Sequence, residues 1–263
     1  MPSDLTIMYI SASEMPDHWM QYQISCLLHA VGDSPIIAVT RKPLSLGMNI
    51  QDDGRKSYWN IYMQMLRAAR IAQTRFVAMA EDDTLYTREH FADFRPPMDA
   101  VSYDRSRWSL FSWEPDPIYC LRQRISNCSL IAPRQLLIDA LEERREKYPG
   151  GIQNESCGEV GRANLERKLG LTHRESVEWY CKNPIVQLNH LTGTDLGNYP
   201  NMRGDGRHFY KKHGEIKAVE IPGWGRAADI VRHYAPDRFT YSEGVEPSSQ
   251  TEPAVVSPQR HAG

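Results

Sequence analysis

The sequence predicts an α/β fold, a single Rossmann-like domain built on a mixed, mainly parallel central sheet. Three observations lead there. The apolar runs Leu5–Ser11, Pro35–Thr40 and Arg75–Ala80 are continuous rather than alternating, as strands covered on both faces are. Helical periodicities separate them in strand–helix–strand order. The third run ends in three consecutive carboxylates, Glu81, Asp82 and Asp83, and ligands of open α/β sheets collect at the carboxyl ends of strands.

Taken in order, Leu5–Ser11 is the first strand. Trp19, Tyr22, Cys26, Leu27 and Ala30 then fall on one helical face within residues 17–31, and Gly32-Asp33-Ser34-Pro35 breaks that helix. The second strand ends at Thr40, and residues 41–57 read as a loop. A long helix follows, with Tyr58, Ile61, Tyr62, Met65, Leu66, Ala69 and Ala72 at helical spacing and Ser57 placed to cap its start. Most of those aromatics and methionines are core. After the third strand, Thr87 opens a short helix. Residues 99–103, 107–113 and 124–132 read as shorter strands, and Pro133 opens a helix reaching Tyr148. Gly150-Gly151 ends it. A glycine-flanked loop around Glu155 and Glu159 leads to a helix ending near Gly170. Strands at 177–181 and 185–189 run into His190. The stretch 203–213 is basic and aromatic, a short amphipathic helix spans 227–234, and residues 243–263 are Pro-, Ser-, Gln- and Glu-rich with few apolar residues, so a disordered tail is expected. Residues 1–242 are thus expected to form one domain of two halves, about 1–97 and about 98–242, divided where the strands become shorter.

Composition excludes several classes. The 263 residues carry a net charge of -2, so no global basic field demands nucleic acid. The five cysteines include no C-x-x-C pair, which argues against a disulfide framework or zinc ribbon and for thiols in a reducing compartment. No signal peptide or run of 18 apolar residues is seen. A cytoplasmic location, with no membrane span and no obligate protein partner, is expected. Neither G-x-G-x-x-G after the first strand nor a Walker lysine motif is present, so the half-domain is not of the dinucleotide or P-loop type.

The chemistry centres on the carboxylates. A hard divalent cation takes oxygen ligands and keeps room for substrate phosphates, so Glu81, Asp82 and Asp83 propose a metal–diphosphate site; the alternative is a solvated turn. His190, at another strand end, completes a mixed oxygen–nitrogen set that manganese tolerates better than calcium does; a lone histidine is otherwise structural. Arg55, Ser57 and Asn60 lie at a helix N-terminus, where backbone N–H groups can receive phosphate.

Asn-Ile at 49–50, Ser-Tyr-x-x-Ile-Tyr-x-Gln from Ser57, and Glu-Asp-Asp-x-Leu-Tyr from Glu81 with His90-Phe91 after it resemble a group of bacterial and phage GT-A-type glycosyltransferases. Glu-x-Gly-Arg at Glu159, His-x-x-Gly at His190 and Trp224-Gly225 are similar to later landmarks of that group, so the resemblance spans about residues 5–234. It implies a GT-A fold and a metal, Mn2+ or Mg2+, gripping the diphosphate of a nucleotide sugar, with a UDP-linked donor expected. It makes Asp83 the metal ligand, Glu81 or Asp82 a ribose or metal contact, and His190 the late metal or phosphate ligand. Tyr9 and Ser11, with Arg55 and Ser57 nearby, would form the base pocket. The motif is Glu-Asp-Asp rather than Asp-x-Asp, and Leu-Thr precedes the glycine after His190.

An inverting transfer needs a carboxylate to take the acceptor's proton, and Glu159 is the first candidate and Glu155 the second; both also suit a helix start. Arg107, Trp108, Arg203, Arg207 and Trp224 are the acceptor-side candidates. If such cations and rings share a face, they suit a phosphate backbone and a flipped base, and phage enzymes resembling this group glycosylate hydroxymethylated DNA bases. Scattered surface arginines are the alternative. The expected function is therefore sugar transfer to a hydroxyl, with phage DNA modification as one acceptor case and a surface glycan or small molecule as the other. A nucleotidyltransferase is the rival enzyme, and a nucleic-acid-binding module the rival outside catalysis.

Overall fold

The computed structural model describes residues 3–122, 124–153, 157–190 and 216–239. The expected acid Glu155, the cations Arg203 and Arg207, and the tail at 243–263 lie outside the described residues. Strand β1 (Leu5–Ser11) leads through helix α1 (Asp17–Val31) to β2 (Ile36–Thr40) and β3 (Met48–Gln51). Helix α2 (Tyr58–Ile71) connects to β4 (Phe76–Glu81), followed by β5 (Thr84–Leu85) and α3 (Arg88–Ala92). Then come β6 (Ala100–Asp104), β7 (Trp108–Phe111), β8 (Tyr119–Leu121), β9 (Leu130–Pro133) and α4 (Arg134–Lys147). Helix α5 (Ala163–Lys168), β10 (Glu175–Trp179), β11 (Val186–Asn189), three two-residue strands, β12 (Lys217–Ala218), β13 (Glu220–Ile221) and β14 (Gly225–Arg226), and helix α6 (Ala227–Tyr234) complete the elements.

The main sheet has seven strands in the order β10-β6-β9-β4-β1-β2-β3. β1 pairs parallel with both β2 and β4, and β9 runs antiparallel to its neighbours β4 and β6. The mixed, mainly parallel sheet expected from the sequence is therefore the observed one. Chain order reverses at β1, whose partners are the next strand in sequence on one side and β4 on the other. Crevices form at the carboxyl ends of strands at such a switch point.

Alternate residues of β1 feed two cores. Leu5, Ile7 and Tyr9 pack with Leu27 of α1 and Phe91 of α3, while Met8 and Ile10 pack with Met65 of α2 and Leu137 of α4. Each fully buried aliphatic contributes about 1.5–3 kcal/mol, so a strand buried on both faces is held firmly. A second sheet, in the order β12-β8-β7-β11-β5, packs through Leu85, Leu110 and Val186 against Trp19 of α1 and Ile230 of α6.

Two expectations are corrected. Residues 48–51, read as loop, form the edge strand β3. Its register is reached through Gly47 at φ +57°, where a Cβ would stand 2.2 Å from the Ile36 carbonyl oxygen. Residues 124–132 are not one strand: a 3-10 turn at Asn127–Ser129 precedes β9. Among the described residues no helix is long and apolar enough to cross a membrane.

Candidate functional site

The acidic turn sits at the switch point and is built from three sides. From α1, Trp19 Nε1 donates to the Asp82 carbonyl at 2.8 Å, and Gln23 Nε2 donates to the carbonyls of Glu81 at 3.2 Å and Thr84 at 3.0 Å. Trp19 and Gln23 are one helical turn apart and fully buried, so α1 clamps the backbone that displays the carboxylates. From β1, Ser11 Oγ donates to Asp82 Oδ2 at 2.5 Å. From below, the Glu81 N–H donates to the Tyr86 hydroxyl at 3.0 Å, and that hydroxyl donates to the Cys128 carbonyl at 2.9 Å.

The second sheet brings in the histidine. Thr84 pairs with Gln187 across the antiparallel β5–β11 contact, and the Leu188 N–H donates to the Asp83 carbonyl at 2.8 Å. Because β11 then ends at Asn189, His190 is delivered alongside the turn. Its imidazole is 7% exposed. Burial pulls its pKa down while the Asp83 carboxylate pushes the other way; the net shift is downward, towards the neutral form a metal ligand requires. Gln187 Nε2 donates to Asp83 Oδ2 at 3.2 Å, and Thr84 Oγ1 donates to Asp83 Oδ1 at 2.8 Å.

Charge is concentrated here. Burial, then the neighbouring charges of Asp83 and Asp82, raise the Glu81 pKa far above the usual carboxylate range, against the opposing pull of Arg107. Asp82 is pushed up to about 7 by burial and by Asp83, against the hydrogen bond from Ser11. Three carboxylates thus share one turn, with the neutral-leaning His190 within electrostatic reach of Asp83.

Several expected site residues have other work. Tyr9 is fully buried and its hydroxyl donates to Gln23 Oε1 at 3.2 Å, so it is core and cannot line a base pocket. Ser11 orients Asp82. Ser57 caps α2 by accepting from the Asn60 N–H at 3.1 Å, and the Asn60 side chain donates to Asp52 Oδ2 at 2.7 Å. Arg55 stands in the exposed loop just before that cap, and Lys56 pairs with Glu14 beside it. Arg107 is only 1% exposed, which corrects its place among outward acceptor-facing cations. It donates through Nη1 to Gln187 Oε1, forming a relay from Arg107 through Gln187 to Asp83. Trp108 packs edge-on against Tyr119, and Trp224 Nε1 donates to the Pro184 carbonyl at 2.6 Å; both rings are partly buried against the core of the second sheet.

Glu159 lies at the same edge, close enough for its charge to act on Glu81. Its loop is fixed from beneath: Arg144 donates to the carbonyls of Gly158 at 2.7 Å and Glu159 at 3.3 Å, and the Tyr103 hydroxyl donates to the Val160 carbonyl at 2.7 Å. Gly161, at φ +84°, lets the chain turn where a Cβ would meet Ser176 Cβ at 2.8 Å. Arg162 pairs with Glu159 at 3.0 Å. Gln23, Lys56 and Gln187 escaped the sequence reading, since none carries a motif; only the buried helical face of α1 hinted at Gln23.

No protein-family model matches the sequence, and no curated protein matches it. Among solved structures, the chain is similar to the mannosyltransferase PcManGT from Pyrobaculum calidifontis, solved in complex with GDP-Man and Mn2+. The TM-score is 0.44 at 12% identity, covering 80% of this chain and 66% of that one. It is also similar to 2-C-methyl-D-erythritol 4-phosphate cytidylyltransferase from Thermus thermophilus, with TM-score 0.40 at 14% identity over 66% of this chain and 87% of that one. A third is the glycosyltransferase GlyE of Streptococcus pneumoniae, with TM-score 0.40 at 9% identity over 66% of this chain and 44% of that one.

Proposed function

We propose that this chain is a metal-dependent glycosyltransferase that moves a sugar from a nucleotide-sugar donor to a hydroxyl acceptor. One observation carries the reading: the Glu81–Asp83 turn ends β4 beside the switch in strand order, and the β5–β11 pairing leads the chain to His190 within electrostatic reach of Asp83. The GT-A-type motifs in the sequence support it. Asp83 and His190 would hold the cation, with Asp82 and Glu81 beside them. When bound, the cation supplies charge stabilisation for the diphosphate that leaves the sugar.

The chain's own residues do the rest. Ser11 and Gln187 fix the rotamers of Asp82 and Asp83, so the donor set is pre-organised. The neutral-leaning His190 offers a lone pair rather than a competing positive charge. Glu159, half-buried on a loop anchored by Arg144, is the base that takes the acceptor hydroxyl's proton. Arg107 offsets part of the negative charge from inside the fold. Hydroxymethylated DNA is one acceptor to test, and surface glycans and small hydroxyl compounds are the other.

The experiment is a screen of nucleotide sugars with Mn2+, against plain DNA, hydroxymethylated DNA and hydroxyl-bearing glycans. The expected result is metal-dependent release of nucleoside diphosphate with labelling of an acceptor. Release of pyrophosphate from a nucleoside triphosphate and a sugar phosphate would instead establish a nucleotidyltransferase. Salt-sensitive DNA binding without turnover would establish a binding module.

A further inference from the structure

We propose that His90, Asp104 and Cys181 form a second metal site, for a thiophilic divalent ion of the zinc class, separate from the acidic turn. The three residues come from different elements. Asp104 is the last residue of β6, Cys181 follows the end of β10, and His90 lies on α3. β6 and β10 run parallel with Trp179 opposite Asp104, so both chain ends emerge side by side under α3.

One ligand atom from each residue lies within 4.8 Å of the others, and His90 Nδ1 is 3.0 Å from Asp104 Oδ2. A tetrahedral zinc with bonds of about 2.0–2.3 Å sets its ligand atoms roughly 3.3–3.7 Å apart, so a small rotation of the partly exposed Cys181 side chain closes the set. His90 and Asp104 are both fully buried. The imidazole stacks on Trp179 at 5.6 Å and meets the edge of Phe91 at 4.8 Å, which fixes its plane. Asp104 Oδ1 accepts from the Ser106 N–H at 2.8 Å and from Ser106 Oγ at 2.6 Å, leaving Oδ2 facing the ring. Outer hydrogen bonds of this kind orient metal-binding carboxylates.

His90 Nε2 is buried without a hydrogen-bond partner among the described residues. All of the ring's polar engagement is therefore on the side of Asp104. Without an ion, the Asp104 carboxylate gathers all three side chains by hydrogen bonds: from His90, from the Cys181 thiol and, at 3.4 Å, from the Cys181 N–H. A metal would take the place of those hydrogen bonds and use the same three ligand atoms, which already lie within reach of one ion. The nitrogen–oxygen–sulfur set selects zinc, cobalt or nickel over magnesium or calcium. Binding displaces the Cys181 thiol proton to solvent, and the fourth position is left to water on the open side. The ion would tie α3 to the ends of β6 and β10.

The test is optical titration of the chelator-treated full chain with Co2+. A thiolate-to-cobalt charge-transfer band reports sulfur ligation, which neither Asp83 nor His190 can give. The expected result is a band whose full intensity corresponds to one thiolate-bound Co2+ per chain and which Zn2+ displaces. It should be lost in Cys181→Ser and kept in Cys26→Ser and in Asp83→Asn. Ser106→Ala should weaken Co2+ affinity about 10-fold by freeing the carboxylate. Zn2+ should also raise the melting temperature of the wild-type chain. Should Cys181→Ser fail to fold, the isosteric Asp104→Asn reads the same loss of affinity. No band in the wild-type chain, or an undiminished band in Cys181→Ser, overturns the proposal.

Discussion

Asp83 has two hydrogen-bond donors on its carboxylate, Thr84 and Gln187, and its carbonyl is held by the Leu188 N–H. Its position is over-determined, as expected of a group that must present oxygens in a fixed direction. Glu159 is held differently. Its backbone is anchored while its side chain reaches out to Arg162, the partner that an acceptor hydroxyl would displace on the proposed function. Glu159→Gln is therefore expected to leave donor binding unchanged and lower the transfer rate about 10²–10⁴-fold, as loss of a general base does. Steady-state kinetics with separate donor titration checks this, and a normal transfer rate would move the base to another residue. Tyr9 and Arg107 show what residue type alone conceals. Both carry polar groups suited to ligands, yet both are buried by the sheet packing, and one sequence gives no direct reading of burial for a tyrosine or an arginine at a strand.

At the level of elements, helix α4 anchors the far edge of the site. Glu143 on that helix accepts from the Thr172 N–H at 2.7 Å, Thr172 Oγ1 at 2.9 Å and Arg174 Nη2 at 3.1 Å, in the segment leading to β10. Partial burial raises its pKa, but these donors outweigh burial and the net shift is downward. A carboxyl lowered on folding stabilises above its unfolded pKa, about 4.3, and that contribution is lost as pH falls through the folded value. Glu143→Gln should thus cost about 0.5–1 kcal/mol at pH 7, and the gap from wild type should close below about pH 4. Urea unfolding at several pH values checks it; a gap that is flat with pH would contradict it. The long elements α1, α2 and β4 were legible because each carries a continuous periodic signal. β3, β8 and the two-residue strands were not, since their state is set by neighbours distant in sequence. The nearness of His190 to the acidic turn depends on β5 pairing with β11 about a hundred residues away; the sequence suggested grouping Asp83 with His190 from their strand-end positions but showed nothing of the pairing that brings them near.

For the whole molecule, the acidic turn joins β4 of the main sheet to β5 of the second sheet, so on the proposed function a ligand held there would couple the two. Mn2+ with a nucleoside diphosphate at about 100 times its dissociation constant should stabilise the fold by about 2.7 kcal/mol. For a chain of this size that is a melting-temperature rise of roughly 5–10 °C. The metal alone should give less than the pair. Differential scanning calorimetry of the full chain checks this, and equal shifts with and without nucleotide would argue against a metal that grips a diphosphate.

The central claim is that carboxylates at the end of β4, joined by His190, hold a divalent cation. Mn2+ titration followed by electron paramagnetic resonance, on the wild-type chain and on Asp83→Asn, tests it most directly. A carboxylate-to-cation contact contributes several kcal/mol, so one Mn2+ should bind the wild-type chain and at least about 100-fold more weakly to the variant. Equal Mn2+ affinity in the two proteins would contradict the account.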